Sequence, residues 1–369
     1  MLNKIKAFIK KETVFFISAV LAVASMLLVP PDAEYIEYID FRVLGLLFCL
    51  MAVVAGLKLS GVFGSLTFQL LSRIKNGRIL SLTLIALPFF SSMLITNDVA
   101  LIVFVPFTIT LLSDSGYKKS IINIIVMQTV AANLGSMATS VGNPQNLFIY
   151  SAYDLSLGEF SSVTLPLTAV SLAALILSSL WLLPKKLSFC EITEEKINNK
   201  KHLVVYALLF LLALFTVFRV VPYQITTIVT AIAILIINKK LLKEIDFMLL
   251  LTFVCFFIIS ENLGRLDIVR TLLQHLLEKS TLITALATSQ VISNVPAAVL
   301  LSGFTQNWQD LLAGVNIGGL GTPIASLASL ITLKFYIKVP DSKVMRFISI
   351  FTIVNIIGII ILLTFKLIK

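Results

Sequence analysis

Two short polar passages, Thr96-Asn97-Asp98 and Ser293-Asn294-Val295, stand inside otherwise apolar sequence. Asparagine amides donate and accept hydrogen bonds, and hydroxyls do the same in less space. Such side chains can surround a small polar solute or an ion without a permanently charged pocket. Each passage is followed by a glycine-containing run: Asn133 to Thr139 continuing through Gly142-Asn143-Pro144-Gln145-Asn146, and Asn316 to Thr322 continuing through Ala325-Ser326. Glycine relaxes the backbone and proline removes a donor, so helices are expected to break there. Broken ends offer N–H groups to an anion and carbonyls to a cation. Asp98 is the most informative side chain, because a carboxylate at membrane depth is costly unless hydrated, paired or protonated. It is expected to take a proton or a sodium ion, or to orient the groups around it. The expected place for sodium is near Asn97, Asp98, Asn143 and Asn294.

Membrane depth is what composition implies. Of 369 residues, 58% are hydrophobic and 13% charged, and mean hydropathy is +1.01. A water-soluble domain of this length is far less apolar. Apolar runs at 14–29, 44–59, 165–183, 203–218, 225–237, 247–259 and 347–363 approach or reach the roughly 20 residues that cross a bilayer as helix. Their residues do not alternate in polarity, which argues against a transmembrane barrel. The first run ends in Pro30-Pro31 with no small-residue cleavage signal, so a retained first helix is expected rather than a signal peptide. Cys49, Cys190 and Cys255 lack the spacing or histidine neighbours of a metal site.

The net charge of +10 excludes nucleic acid as partner once its distribution is read. Basic clusters around Lys4 to Lys11, Arg73 to Arg78, Lys118-Lys119, Lys185-Lys186, Lys239 to Lys243 and Lys334 to Arg346 separate the apolar runs, while Asp32, Glu34, Glu37, Asp154 and Glu159 fall in the alternate loops. The positive-inside rule places the basic loops, and with them the N-terminus, in the cytoplasm of a multi-pass cell-membrane protein. The region around 81–112 begins and ends beside basic residues, so it enters and leaves by one face. Its polar break at Thr96-Asn97-Asp98 makes it a hairpin with a tip near mid-membrane.

The second half repeats this order. A region near 282–301 forms a second hairpin around Ser293-Asn294-Val295-Pro296, and 311–333 is a second broken crossing. Asn133, Gly135 and Thr139 match Asn316, Gly318 and Thr322 at one constant offset, and Ile39-Asp40-Phe41 matches Ile245-Asp246-Phe247. The expected fold is an all-α polytopic membrane protein with inverted structural repeats, two re-entrant helical hairpins and two broken transmembrane helices. Residues 1–183 form the first repeat, 184–222 a cytoplasmic linker and connector helix, and 223–369 the second repeat. Glu261, Arg265, Asp267 and Arg270 suggest an external interfacial helix before the second hairpin.

Leu94-Ile95-Thr96-Asn97-Asp98-Val99-Ala100-Leu101 with Val105-Pro106, Gly142 to Asn146, Ile292-Ser293-Asn294-Val295-Pro296 and Gly314 to Ser329 carry a resemblance over nearly the whole chain. The chain resembles the citrate-transporter-like ion transporter superfamily, which includes divalent anion/sodium symporters, arsenical pump membrane proteins and some sodium/proton antiporters. The resemblance implies that Thr96, Asn97, Asp98, Ser293, Asn294 and Val295 touch substrate. It implies further that Thr139, Gly142 and Asn143, with Thr322, Ala325 and Ser326, help form two cation sites, and that the protein is a homodimer. Asp98 and Val295 stand where the symporter branch has threonine.

The expected function is secondary active transport of a small anion, a carboxylate or an inorganic oxyanion, by sodium- or proton-coupled alternating access. Arsenite efflux, sodium/proton exchange and an ion channel are the alternatives. No nucleophile–base arrangement or phosphate motif suggests an enzyme, and no cofactor is expected beyond the coupling ion.

Overall fold

In a computed structural model, residues 12–71, 74, 76–114, 117–179 and 197–368 are described. The basic clusters at Lys4 to Lys11 and Lys185-Lys186, Cys190, and most of the expected cytoplasmic linker lie outside these residues. The described chain is helical: α1 (Thr13–Leu28), α2 (Phe41–Leu59), α3 (Val62–Leu71), α4 (Gly77–Ile95), α5 (Asn97–Asp114), α6 (Ile121–Ser136), α7 (Pro144–Ala152), α8 (Leu157–Ser179), α9 (Lys200–Val217), α10 (Tyr223–Asn238), α11 (Phe247–Gly264), α12 (Asp267–Ile292), α13 (Asn294–Ser302), α14 (Trp308–Gly318), α15 (Leu327–Ile337) and α16 (Val344–Ile368). Seven helices among the described residues are long and apolar enough to cross a membrane. The protein is an all-α, multi-pass membrane protein.

The boundaries follow from local chemistry. Asp40 and Asp246 cap α2 and α11 alike, each accepting a hydrogen bond from the N–H three residues on, Val43 and Leu249, at 2.9 Å. The repeated Ile-Asp-Phe tripeptide is thus a repeated helix start. Asn143 caps α7 by accepting from Asn146 N–H at 2.9 Å, with Pro144 at the first helical position, where its missing donor costs nothing.

Two features are absent from the sequence reading. The short helix α3 follows the turn at Gly61, where φ is +75°. In α12, Ser280 is non-helical (φ −167°, ψ 102°) and divides an outer portion from the arm that reaches Ser293. That outer portion starts at Asp267, within the stretch expected to form an interfacial helix.

Apolar residues face outward on the long helices, including Leu208, Leu211 and Phe215 on α9 and Ile353, Ile357 and Ile360 on α16. In water this would be a liability; against lipid it is the expected surface. The interior holds α6 and α14. Helix α6 is buried at every residue but Asn123 and packs on α4, α5, α8 and α15; α14 packs on α12 and α13. Helices distant in sequence pack together, α5 lying against α15 and α13 against α7. Arg265 pairs with Asp32 at 2.7 Å and with Glu34, and Arg219 with Asp154 at 2.7 Å, so each acidic loop is held by its own arginine.

Candidate functional site

Thr96 and Ser293, the residues between the paired arms, share an unusual backbone: φ 69°, ψ 152° and φ 76°, ψ 156°. Positive φ is uncommon outside glycine and persists only where the surroundings over-determine it. The surroundings here are matching hydrogen bonds. Asn97 N–H donates to Gly142 O at 3.2 Å, and Asn294 N–H donates to Ala325 O at 3.0 Å. Thr139 Oγ1 donates to Met93 O at 2.5 Å, and Thr322 Oγ1 to Gln290 O at 3.2 Å. Each tip is therefore latched to the break in the neighbouring helix by a pair of bonds at corresponding positions.

The glycines permit this approach. A Cβ on Gly142 would lie 2.1 Å from Ser136 O, and one on Gly135 2.0 Å from Phe89 O. Gly318 is close in the same way to Ser289, 2.7 Å from its Cβ.

Side-chain amides join the halves. Asn97 Nδ2 donates to Asn133 Oδ1 at 2.9 Å; that oxygen also accepts from Ser326 Oγ at 3.1 Å. Asn133 Nδ2 reaches Ser329 Oγ and Gly319 O, both at 3.4 Å. Asn143 Nδ2 donates to Ser136 Oγ at 3.1 Å and to Asn316 Oδ1 at 3.3 Å, while Asn316 Nδ2 donates to Asn146 Oδ1 at 2.7 Å. Ser293 Oγ donates to Ala325 O at 3.3 Å, and Asn294 packs its amide over Gly319. These asparagines are buried, and Ser136 Oγ, which donates to the backbone carbonyl of Asn133 at 2.9 Å, links the two groups of side chains.

Asn97, Ser293, Asn294, Thr139, Gly142, Asn143, Ala325 and Ser326 come together at the two latched breaks. Three expected residues sit differently. Val295 is buried in an apolar cluster with Phe148 and Phe257. Thr322 lies on the exposed side of its break. Asp98 is half-buried; its N–H donates to Asn97 Oδ1 at 3.0 Å, but among the described residues its carboxylate makes no hydrogen bond or ion pair.

Sequence reasoning missed Gln290. Its Nε2 donates to Gly318 O at 2.8 Å and Leu320 O at 3.0 Å, and its Oε1 accepts from Thr322 N–H at 3.0 Å. The available signal was its place: three residues before Ser293, where the first hairpin has Met93 three residues before Thr96. A cavity of about 300 Å³ opens beyond the asparagines, at the far ends of α7 and α13, lined by Tyr38, Asp40, Phe148, Tyr153, Glu261 and Gln306 among others.

Lipid-facing helices around a buried polar seam with broken helices define a membrane transport protein for a small solute. The citrate transporter family model matches residues 3–309, and the chain belongs to that family. It is a transporter and not an enzyme. An uncharacterized transporter of Methanocaldococcus jannaschii is 32% identical, the match covering 90% of this chain and 91% of that protein. Inner membrane protein YbiR of Escherichia coli is 30% identical over 80% of each chain. The silicon efflux transporter LSI3 of Oryza sativa subsp. japonica is 34% identical over 39% of this chain and 29% of that protein.

Proposed function

We propose that the protein is a secondary active transporter that moves a small anion, a carboxylate or an inorganic oxyanion, by alternating access coupled to a sodium or proton gradient. The carrying observation is the matched pair of latches, Asn97 N–H to Gly142 O and Asn294 N–H to Ala325 O, around one buried amide network. Matched latches support two repeats, each a re-entrant hairpin docked on its own broken helix, and the alternation of basic and acidic loops supports their inversion and an N-terminus in the cytoplasm. The first repeat spans 1–183 and the second 223–369.

In this reading Thr96, Asn97 and Asp98 face Ser293, Asn294 and Val295 across the substrate. The N-termini of α5, α7, α13 and α15 then converge near mid-membrane and present partial positive charge to the anion. Cargo and ion move together because each stabilises the state in which the other binds, which is the thermodynamic condition for coupling. Asp98 is the ionisable group at the site and carries the ion dependence.

A second reading is efflux of an oxyacid. The partial likeness to a silicon efflux transporter favours it.

Both readings meet the same experiment: uptake into proteoliposomes of citrate, succinate, sulfate and arsenite under separately imposed sodium and proton gradients. Gradient-driven accumulation of at least one anion is expected. Large single-channel currents, or no gradient-dependent flux of any of the four, would refute the proposal.

A further inference from the structure

Carbonyls at the C-terminal end of a broken helix carry partial negative charge and, away from water, need a positive partner. At the first break the carbonyls of Ser136, Met137 and Thr139 converge on one point. That point is held by Nδ2 of Asn146, at 3.4, 3.3 and 3.0 Å. The amide is fixed in this sense, because its Oδ1 accepts from Asn316 at 2.7 Å. At the second break Nε2 of Gln290 lies 2.8 Å from Gly318 O and 3.0 Å from Leu320 O, and its Oε1 is fixed by Thr322 N–H.

The two amides come from different elements. Asn146 is on the helix that follows its break, and Gln290 is on the neighbouring hairpin arm. They nevertheless share one corresponding carbonyl, since Met137 and Leu320 stand at the same offset as Asn133 and Asn316. The carbonyls farther along are also engaged: Gly142 O by Asn97 N–H, and Ala325 O by Asn294 N–H and Ser293 Oγ.

The geometry points to Asn146 and Gln290 as resident, neutral substitutes for cations at the two helix breaks, so that no sodium ion loads at either break. A sodium ion would have to shed its water and expel an amide, stranding N–H donors in a buried place. The resident amide makes the same carbonyl contacts with no dehydration step. The inference rests on the transporter reading only in what it says of the cycle: sodium is absent from the breaks, and ion exchange falls to Asp98.

The test is thermal unfolding of the purified protein in detergent, in sodium chloride and in choline chloride at equal ionic strength, with equilibrium binding of radioactive sodium alongside. Neither measurement needs a substrate, so failure of the flux panel and failure here are distinguishable. For the wild type the two salts should give the same Tm to within about 1 °C, whereas an ion well above its Kd raises Tm by several degrees, on the order of 3 °C or more. Asn146→Ser and Gln290→Ala should melt lower in choline and recover part of the loss in sodium, because each vacates a ring of carbonyls. Sodium-specific stabilisation or saturable sodium binding of the wild type that persists in Asp98→Asn would overturn the inference. Sodium binding that disappears in Asp98→Asn would place the ion on that carboxylate and support it. The wild-type and Asp98→Asn measurements decide the question even where Asn146→Ser or Gln290→Ala fails to fold.

Discussion

Replacing Asn133 with alanine removes the acceptor that joins the first hairpin tip to the second broken helix. Asn133 Oδ1 accepts from Asn97 Nδ2 at 2.9 Å and from Ser326 Oγ at 3.1 Å. The serine hydroxyl can rotate to another partner. The Asn97 amide cannot turn, because its own Oδ1 is engaged by Asp98 N–H at 3.0 Å. One buried amide is therefore stranded, a cost of about 1–3 kcal/mol. Each side-chain pair lost inside a membrane protein adds about 0.6 kcal/mol, so the total is about 2–4 kcal/mol. Denaturant unfolding in mixed detergent micelles should show this loss. A double-mutant cycle with Asn97→Ala should return a coupling of about 0.6–1.7 kcal/mol. Thr129→Val is the control, since it removes a hydroxyl bonded to Thr332 at 2.8 Å while nearly preserving shape, and should cost about 1 kcal/mol. Asn133→Ala within about 0.5 kcal/mol of wild type, with no coupling to Asn97, would refute the claim that this amide holds the two halves together.

Gly142→Ala places a Cβ 2.1 Å from Ser136 O, whereas Gly158→Ala meets nothing closer than 4.0 Å; the first should cost about 1–3 kcal/mol or more and reduce flux at least tenfold, the second should be near neutral, as read by thermal unfolding and liposome uptake. Asp98→Asn should alter the sodium or proton dependence of transport, and wild-type ion dependence in liposomes would count against its assigned role. The Asp32 carboxyl is held below its usual 3.8 chiefly by a hydrogen bond from Arg265, with the Glu34 N–H assisting against partial desolvation. A depressed carboxyl stabilises the fold above its unfolded pKa, and the benefit is lost as pH falls through the lowered folded value. The Tm gap between wild type and Arg265→Gln should therefore be constant above about pH 5 and shrink below about pH 4. A gap that widened in acid would contradict the pairing.

The breaks were legible because glycine, proline and asparagine are conspicuous against apolar sequence. Asn97, Asn133, Asn143, Asn294 and Asn316 were found that way, and all are buried in or against the network that joins the breaks. The matched Ile-Asp-Phe tripeptides were also legible, and their likeness proves to be one capping geometry used twice. Gln290 was not legible. A single glutamine on a helix arm has many solvated uses, and only the fold brings it to the carbonyls 28 and 30 residues later. The bend at Ser280 was hidden for a related reason: serine is neutral enough toward helix to give no local warning. Val295 was legible only from its motif position; its apolar neighbours Phe148 and Phe257 come from the fold.

The central claim is that Asn97 and Asn294 border one cavity reached from either side of the membrane in turn. Its most direct test is thiol labelling of Asn97→Cys and Asn294→Cys, introduced singly in a background lacking Cys49, Cys190 and Cys255, with impermeant reagents applied from each side. Both positions should label from one side in one state and from the other when the imposed gradient is reversed, with a transported anion slowing both. Constant labelling of the two positions from opposite sides, unaffected by gradient or anion, would place them in separate aqueous loops and contradict the account.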